Sequence, residues 1–239
     1  MKLVGILAAA FVLSAGGVQA KQFVVNGDFT QLSNGVGQFD AATTVTGWSG
    51  NGGYNFVMSS ADAGANGQYG NTSLWDAANG GASTWNGAAA GSGNFAAMDG
   101  DFMTSPITQK ITGLTVGKTY TLSFDYAFGQ QYTFDGDTLQ TLTASLGDNF
   151  SWTSSTASVA SHGFTGWTQE SVTITADNTS EVLSFLANGN LPVPPFALIS
   201  NVSLTGGVPE PATWTMLILG LGGLGFVARR RRALALALA

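Results

Sequence analysis

Lys118-Thr119-Tyr120-Thr121-Leu122-Ser123-Phe124-Asp125-Tyr126-Ala127-Phe128 is the stretch on which the fold is decided. Tyr120, Leu122, Phe124, Tyr126 and Phe128 recur at period two and so fall on one face. A strand turns successive side chains to opposite faces and a helix does not, so the stretch predicts a half-buried β-strand. Outward from it the same signature returns. Leu139–Leu146 predicts a second, weaker strand. Across Trp167–Thr175 the alternation puts Val172 and Ile174 on the inward face. Val182–Ala187 and Phe196–Leu204 follow, the latter with Ile199, and with Val202 and Leu204 in alternation. Turn formers stand between these runs: Gly113, Gly117, Gly129, Asp135-Gly136-Asp137, Gly147-Asp148-Asn149 and Asp177-Asn178. Short strands, frequent turns and no helical period predict an all-β chain built as an antiparallel β-sandwich.

Upstream, residues 47–100 have a different texture, dense in Gly, Asn, Ala and Ser with scattered aromatics. Here we expect long loops crossing short strands near Tyr54–Met58 and Asn94–Met98. The chain ends differ again. Lys2, the apolar run Leu3–Leu13 and the small residues of Val18-Gln19-Ala20 predict a signal peptide over residues 1–20, cleaved before Lys21. At the other end stand Val208-Pro209-Glu210-Pro211-Ala212-Thr213-Trp214, an uncharged run to Ala228, and Arg229-Arg230-Arg231-Arg232. Pro209 and Pro211 disfavour helix just before the apolar run. Residues 212–228 form a candidate transmembrane helix at the short end of the roughly 17–25 residues a bilayer takes. Trp214 suits the interface, and the arginines stay cytoplasmic, which places the bulk of the chain on the far side. Residues 233–239 alternate Ala and Leu, and we have no physical account of them.

The motif, apolar segment and Arg cluster of residues 207–232 together resemble a PEP-CTERM sorting signal of Gram-negative bacterial proteins. The motif is similar to the PEPxxWA variant, with Thr215 where Ala is usual. Val208, Pro209, Glu210, Pro211 and Trp214 carry the motif, and Arg229, Arg230, Arg231 and Arg232 the membrane stop. The resemblance implies recognition by an exosortase, transient residence in the inner membrane, cleavage near the Pro-Glu-Pro, and delivery to the cell surface or extracellular matrix.

Removing both ends leaves residues 21–206 as an ectodomain, cysteine-free and held by its core alone. Lys21, Lys110 and Lys118 then face thirteen acids, a net charge of −10 against −6 for the whole chain. Such a surface argues against nucleic acid and anionic lipid as partners. The ends of this region carry a second resemblance. Asn26-Gly27-Asp28-Phe29, Gly47-Trp48, and Ile199-Ser200-Asn201-Val202-Ser203-Leu204 are similar to carbohydrate-binding modules of the galactose-binding jelly-roll type. That likeness implies first and last strands side by side, with a structural Ca²⁺ nearby. Thr30 and Ser200 stand where carboxylates are common, which leaves Asp28 and Asn201, with backbone carbonyls, as the candidate Ca²⁺ ligands.

Candidate chemistry is sparse. His162, the one histidine, lies in a polar loop without a marked Ser partner, so the plain reading is a surface histidine. The Asp99-Gly100-Asp101 and Asp135-Gly136-Asp137 units are natural tight turns, with a Ca²⁺ site as the alternative that closely spaced oxygens suit, and nothing in the sequence marks one of these acids as a buried general acid. Aromatics offer the better lead, because exposed rings stack on sugars. Trp75, Trp85 and Tyr69 sit among Gly, Asn, Ser and Asp and are the glycan-binding candidates. Trp48 and Trp167 are expected to pack. No cofactor is expected beyond that Ca²⁺. The expected function is a non-enzymatic surface or biofilm-matrix protein that binds, or is built into, extracellular polysaccharide. The alternative is a secreted glycan-active hydrolase.

Overall fold

The structure is a computed structural model and describes residues 20–59, 63–67, 70–81, 93–190 and 193–206. The signal peptide, the sorting motif, the expected membrane span and the Arg cluster lie outside the described residues. Among the described residues no helix is long and apolar enough to cross a membrane.

Among the described residues, strands account for the regular structure. In chain order they are β1 (Lys21–Gln22), β2 (Gly37–Gln38), β3 (Asn55–Ser59), β4 (Gly64–Gly67), β5 (Gly70–Ser73), β6 (Asn94–Asp99) and β7 (Ile107–Thr112). They continue with β8 (Thr119–Gln130), β9 (Thr138–Leu146), β10 (Phe150–Thr153), β11 (Ala157–Val159), β12 (Thr168–Thr175), β13 (Ser180–Gly189) and β14 (Pro195–Gly206). One sheet runs β12-β8-β14-β6-β3-β2, with β1 added to β14, and the other runs β10-β9-β13-β7, with β11 on β9. β4 and β5 form a separate hairpin. The strand pairings are antiparallel, and β1 lies beside β14 with Lys21 opposite Gly206, as the jelly-roll likeness implies.

β8 explains the layering. Tyr120, Leu122, Phe124 and Phe128 are buried in the core between the sheets, together with Leu142, Ala144, Leu183 and Phe185 from the facing sheet. Val172 and Ile174 join the same core, as their alternation predicts. A second core covers the outer face of the first sheet. Phe56, Met58, Phe95, Ala97, Ala127, Phe196 and Leu198 pack there beneath Leu74, Ala63 and Ala65. Neighbouring positions in β3, β6 and β14 therefore enter opposite cores, so these strands read as apolar runs rather than alternations. Burying each large side chain stabilises the fold by about 1.5–3 kcal/mol.

Two sequence expectations change. Gly129 is no turn: β8 continues through it, opposite Phe196, to Gln130 opposite Pro195. The Gly-rich region also contains the β4–β5 hairpin, which half-covers the outer core. Among the described residues, both cores and the strand pairs lie within the compact unit Lys21–Gly207, which therefore carries its own core.

Candidate functional site

At the end of the sandwich where β8 passes into β9, two loops meet. Leu74 bridges to Gln131, the Trp75 N–H donates to the Gln130 carbonyl at 3.0 Å, and the Tyr132 N–H donates to the Ser73 carbonyl at 2.8 Å. Trp75 is held from its own loop by Asp76. The buried Asp76 carboxylate accepts from the Ala78 and Asn79 N–H groups at 2.7 and 3.0 Å, while the Asn79 side chain bonds back to Asp76 N and Leu74 O.

On this base an aromatic cluster forms. The Trp75 indole N–H donates to the Phe134 carbonyl at 2.9 Å. Its ring stacks on the His162 imidazole at 3.7 Å between centroids and 23° between planes, and meets Tyr132 edge-on at 4.7 Å. Tyr132 and Phe134 remain 37% and 40% exposed. His162 Nε2 lies 2.5 Å from Asp135 Oδ1, and the Asp135 side chain is 80% exposed. The two Asp-Gly-Asp carboxylates thus do more than shape a turn. Asp135 reaches His162, Asp137 accepts the Ser161 N–H at 2.8 Å, and the Gly136 N–H donates to Ser161 Oγ at 2.9 Å. His162 and Thr133 hold positive φ angles of 61° and 77°, which L residues adopt only when their surroundings enforce them.

Beneath the cluster lies a belt of buried amides. Gln130 Nε2 donates to the Gly136 carbonyl, Thr138 Oγ1 and the Val159 carbonyl at 3.0, 3.1 and 3.2 Å. Gln140 Nε2 donates to the Gly129 carbonyl and the same Thr138 Oγ1, each at 2.8 Å. One side chain therefore ties the 131–137 loop to the strand that leads into His162.

Of the sequence candidates, Trp75 belongs to this cluster, whereas Trp85 and Tyr69 lie outside the described residues. Trp48 packs as expected, buried against Phe29 and Phe185, with its N–H on the Val25 and Asn26 carbonyls. Trp167 packs on Phe95 and Phe164. Tyr132 and Phe134 were not singled out in the sequence. Two aromatics inside a turn between strong strands, beside Asp135-Gly136-Asp137, were the available signal.

The expected Ca²⁺ ligands occupy a clasp between the chain ends. β14 shifts register between Ser200 and Ser203, and the Val202 N–H donates to the Gly27 carbonyl at 2.9 Å. Gly27 is required here, because an added Cβ would lie 1.9 Å from the Val202 carbonyl oxygen. The side chains turn to other partners. Asp28 accepts from Thr30 Oγ1 at 3.0 Å, and Asn201 Nδ2 donates to Asp125 at 2.7 Å. One carboxylate and one amide fall short of the roughly six to eight oxygens Ca²⁺ takes. Among the described residues no group of three His, Cys, Asp or Glu side chains could hold a metal.

Asp99 departs from the sequence reading. Its turn is as expected, with Oδ1 accepting the Asp101 and Phe102 N–H groups at 2.7 Å each. The residue is nevertheless 1% exposed, and burial raises its pKa above the ordinary carboxylate value despite those two bonds. A neutral acid is one requirement of general acid catalysis, but this one is closed off from any substrate.

The tail completes the picture. Residues 207–232 match the PEP-CTERM protein-sorting motif. PEP-CTERM tails mark a chain for export and exosortase processing, and so for the cell surface or extracellular space. No curated protein matches the chain. Among solved structures it is similar to the CBM4 carbohydrate-binding module, at 17% identity and a TM-score of 0.37, covering 77% of this chain and 99% of that one. It is also similar to the TmCBM61 module in complex with β-1,4-galactotriose, at 12% identity and a TM-score of 0.41, covering 79% and 100%. A family 16 carbohydrate-binding module compares at 16% identity and a TM-score of 0.29, covering 49% and 79%.

Proposed function

We propose that residues 21–206 are a non-catalytic module that binds extracellular polysaccharide, delivered to the surface by the PEP-CTERM tail. The observation that carries this reading is the cluster of Trp75, Tyr132, Phe134 and His162, partly exposed and fixed from beneath by Gln130. Aromatic rings offer apolar faces and edges to the C–H side of a sugar, and nearby polar groups orient its hydroxyls. Asp135 and His162 supply those polar groups at the rim. The cluster contains two acids, Asp135 and Asp137, and none of the three lysines of this region, so it suits neutral chains better than polyanions. His162 stacks on Trp75 and is bonded to Asp135, which suits a role in holding the rim of the cluster. The remaining partners follow from the tail: an exosortase, and the inner membrane until cleavage. The domain boundaries proposed are 1–20, 21–206 and 207–232.

The test is a binding panel of neutral, anionic and cationic polysaccharides against residues 21–206 and a Tyr132→Ala/Phe134→Ala variant. Both side chains are exposed, so the variant should fold. Loss of an edge-on or stacked aromatic contact removes about 1 kcal/mol each, so affinity for neutral chains should fall about tenfold or more. Absence of binding by the intact domain would overturn the proposal. Release of reducing ends from isolated matrix would replace it with the hydrolase.

A further inference from the structure

A sheet edge presents a row of unpaired N–H and C=O groups, and proteins keep such edges short, bulged or covered. This sandwich does so at most of its edges. β2 has two residues and β10 has four. β7 is covered: Ser49 bridges to Thr108, and the Gln109 side chain bonds both N–H and C=O of Val25. β12 is the exception. It pairs with β8 in unbroken register over eight residues, Thr168–Thr175, and among the described residues no strand flanks its other side. Its sequence Thr-Gln-Glu-Ser-Val-Thr-Ile-Thr is rich in β-branched residues, has no Pro or Gly, and carries a single charge at Glu170.

The free side of this edge can be identified. The Ser171 N–H donates to its neighbour's carboxylate, Glu170 Oε1, at 3.2 Å, so it points away from β8. In an antiparallel ladder the direction alternates, and Gln169, Ser171, Thr173 and Thr175 therefore line the free edge.

We propose that β12 is a self-pairing edge, joining two copies of this chain antiparallel about a two-fold axis at Val172. Outward groups meet outward groups only when the axis falls on a residue, and of the two central residues Val172 sets the two Glu170 carboxylates further apart than Ser171 does. With the axis at Val172, outward groups meet outward groups: Gln169 faces Thr175 of the second copy, and Ser171 faces Thr173. Side chains segregate correctly too. Val172 meets Val172 on the face where Val172 and Ile174 pack into the core, and the half-buried Glu170 lies opposite Ile174 of the second copy. Ser171 meets Thr173 on the polar side, where cross-strand hydroxyl pairs are favourable. The two Glu170 carboxylates end four positions apart, roughly 14 Å along the strands, so the register contains no like-charge pair. An isologous pair of this kind closes, which gives a dimer with one continuous sheet rather than a fibre. Glu170 is the gate: its carboxylate must release the Ser171 N–H for the partner's carbonyl to take its place.

The experiment uses residues 21–206, which contain no cysteine. Val172 faces its own copy at a non-hydrogen-bonded position, where Cα atoms lie about 4.5 Å apart, within disulfide range. Val172→Cys should therefore form a disulfide dimer under mild oxidation at least about tenfold faster than Val182→Cys, a half-exposed control on the other sheet. Thr173→Pro removes an outward N–H without touching the β8 ladder, and should shift the dimer to monomer in sedimentation equilibrium. A monomeric wild type overturns the proposal. So does crosslinking at Val172 no faster than at Val182. A monomer with β12 edge amides protected from hydrogen exchange overturns it as well, since another segment of the same chain would then occupy the edge.

Discussion

Gln130→Glu exchanges one buried NH₂ for one oxygen and tests whether the amide belt holds the aromatic cluster. The new oxygen would stand where Nε2 now donates, facing the Gly136 carbonyl at 3.0 Å, Thr138 Oγ1 at 3.1 Å and the Val159 carbonyl at 3.2 Å. Two of these groups cannot donate, so at most the Thr138 hydroxyl can turn to meet it. The other side-chain oxygen has no partner in wild type, so its contribution largely cancels. An orphaned buried acceptor costs about 1–3 kcal/mol, and an uncompensated buried charge about 3–5 kcal/mol. The carboxylate lowers this by taking up a proton, because burial disfavours its charged form. A net loss of about 3 kcal/mol at neutral pH follows, and for a domain of this size Tm should fall by roughly 6–12 °C. The loss should shrink on mild acidification, when the acid O–H can donate to one carbonyl. Thermal unfolding by circular dichroism at both pH values measures this. Polysaccharide binding well below the variant's Tm reports separately on the 131–137 loop and should weaken with it. A Tm within about 2 °C of wild type at neutral pH would refute the role given to Gln130.

Asp99→Asn should abolish one pH dependence. Burial raises the native pKa of Asp99 above its ordinary 3.8, so the folded chain holds that proton more tightly than the unfolded chain. Stability then declines as pH rises from the ordinary value through the raised one, and the loss persists above it. Asparagine keeps the Oδ1 acceptor and cannot ionise, so the wild type should lose stability relative to the variant across that window; parallel unfolding curves would contradict this. Gly27→Ala should open the clasp between the chain ends, since its Cβ would lie 1.9 Å from a backbone oxygen. A loss of about 1–3 kcal/mol or more is expected in denaturant unfolding. Mass spectrometry of the surface form should find the C-terminus near Val208–Pro211, and a mature chain retaining Arg229–Arg232 would contradict exosortase processing.

How legible each element was depends on how many faces it buries. β8 and β12 alternate because one side of each strand meets the core between the sheets and the other is more polar, so Val172 and Ile174 could be assigned inward from spacing alone. β6 and β14 bury both faces, and their composition marks them as apolar without showing which residue enters which core. Gly129 reads as a turn because glycine usually weakens a strand. It stays extended because its neighbours Phe128 and Gln130 continue the ladder with β14. The site is long-range in a stricter sense. Trp75, Asp135 and His162 come from three distant loops, and no local period relates them. Asp99 is similar: its turn chemistry is local and legible in Asp99-Gly100-Asp101, but its burial comes from the packing around it and not from its own neighbours in the chain.

β8 also fixes the separation between tether and site. Gly206, from which the chain continues into the PEP-CTERM tail, pairs with Tyr120 near the start of this strand. The loop carrying Tyr132, Phe134 and Asp135 begins just after its last residue, Gln130. Ten residues at ~3.3 Å each set the two points roughly 33 Å apart on opposite ends of the sandwich. Lys21 pairs with Gly206 and Lys118 precedes β8, near Asp177 and Glu181, whereas Asp76, Asp135 and Asp137 lie at the aromatic end without a lysine. If the aromatic end carries the binding surface, as proposed, removal of the residues beyond Gly206 should leave polysaccharide affinity unchanged. A change in affinity on cleavage would move the site to the other end.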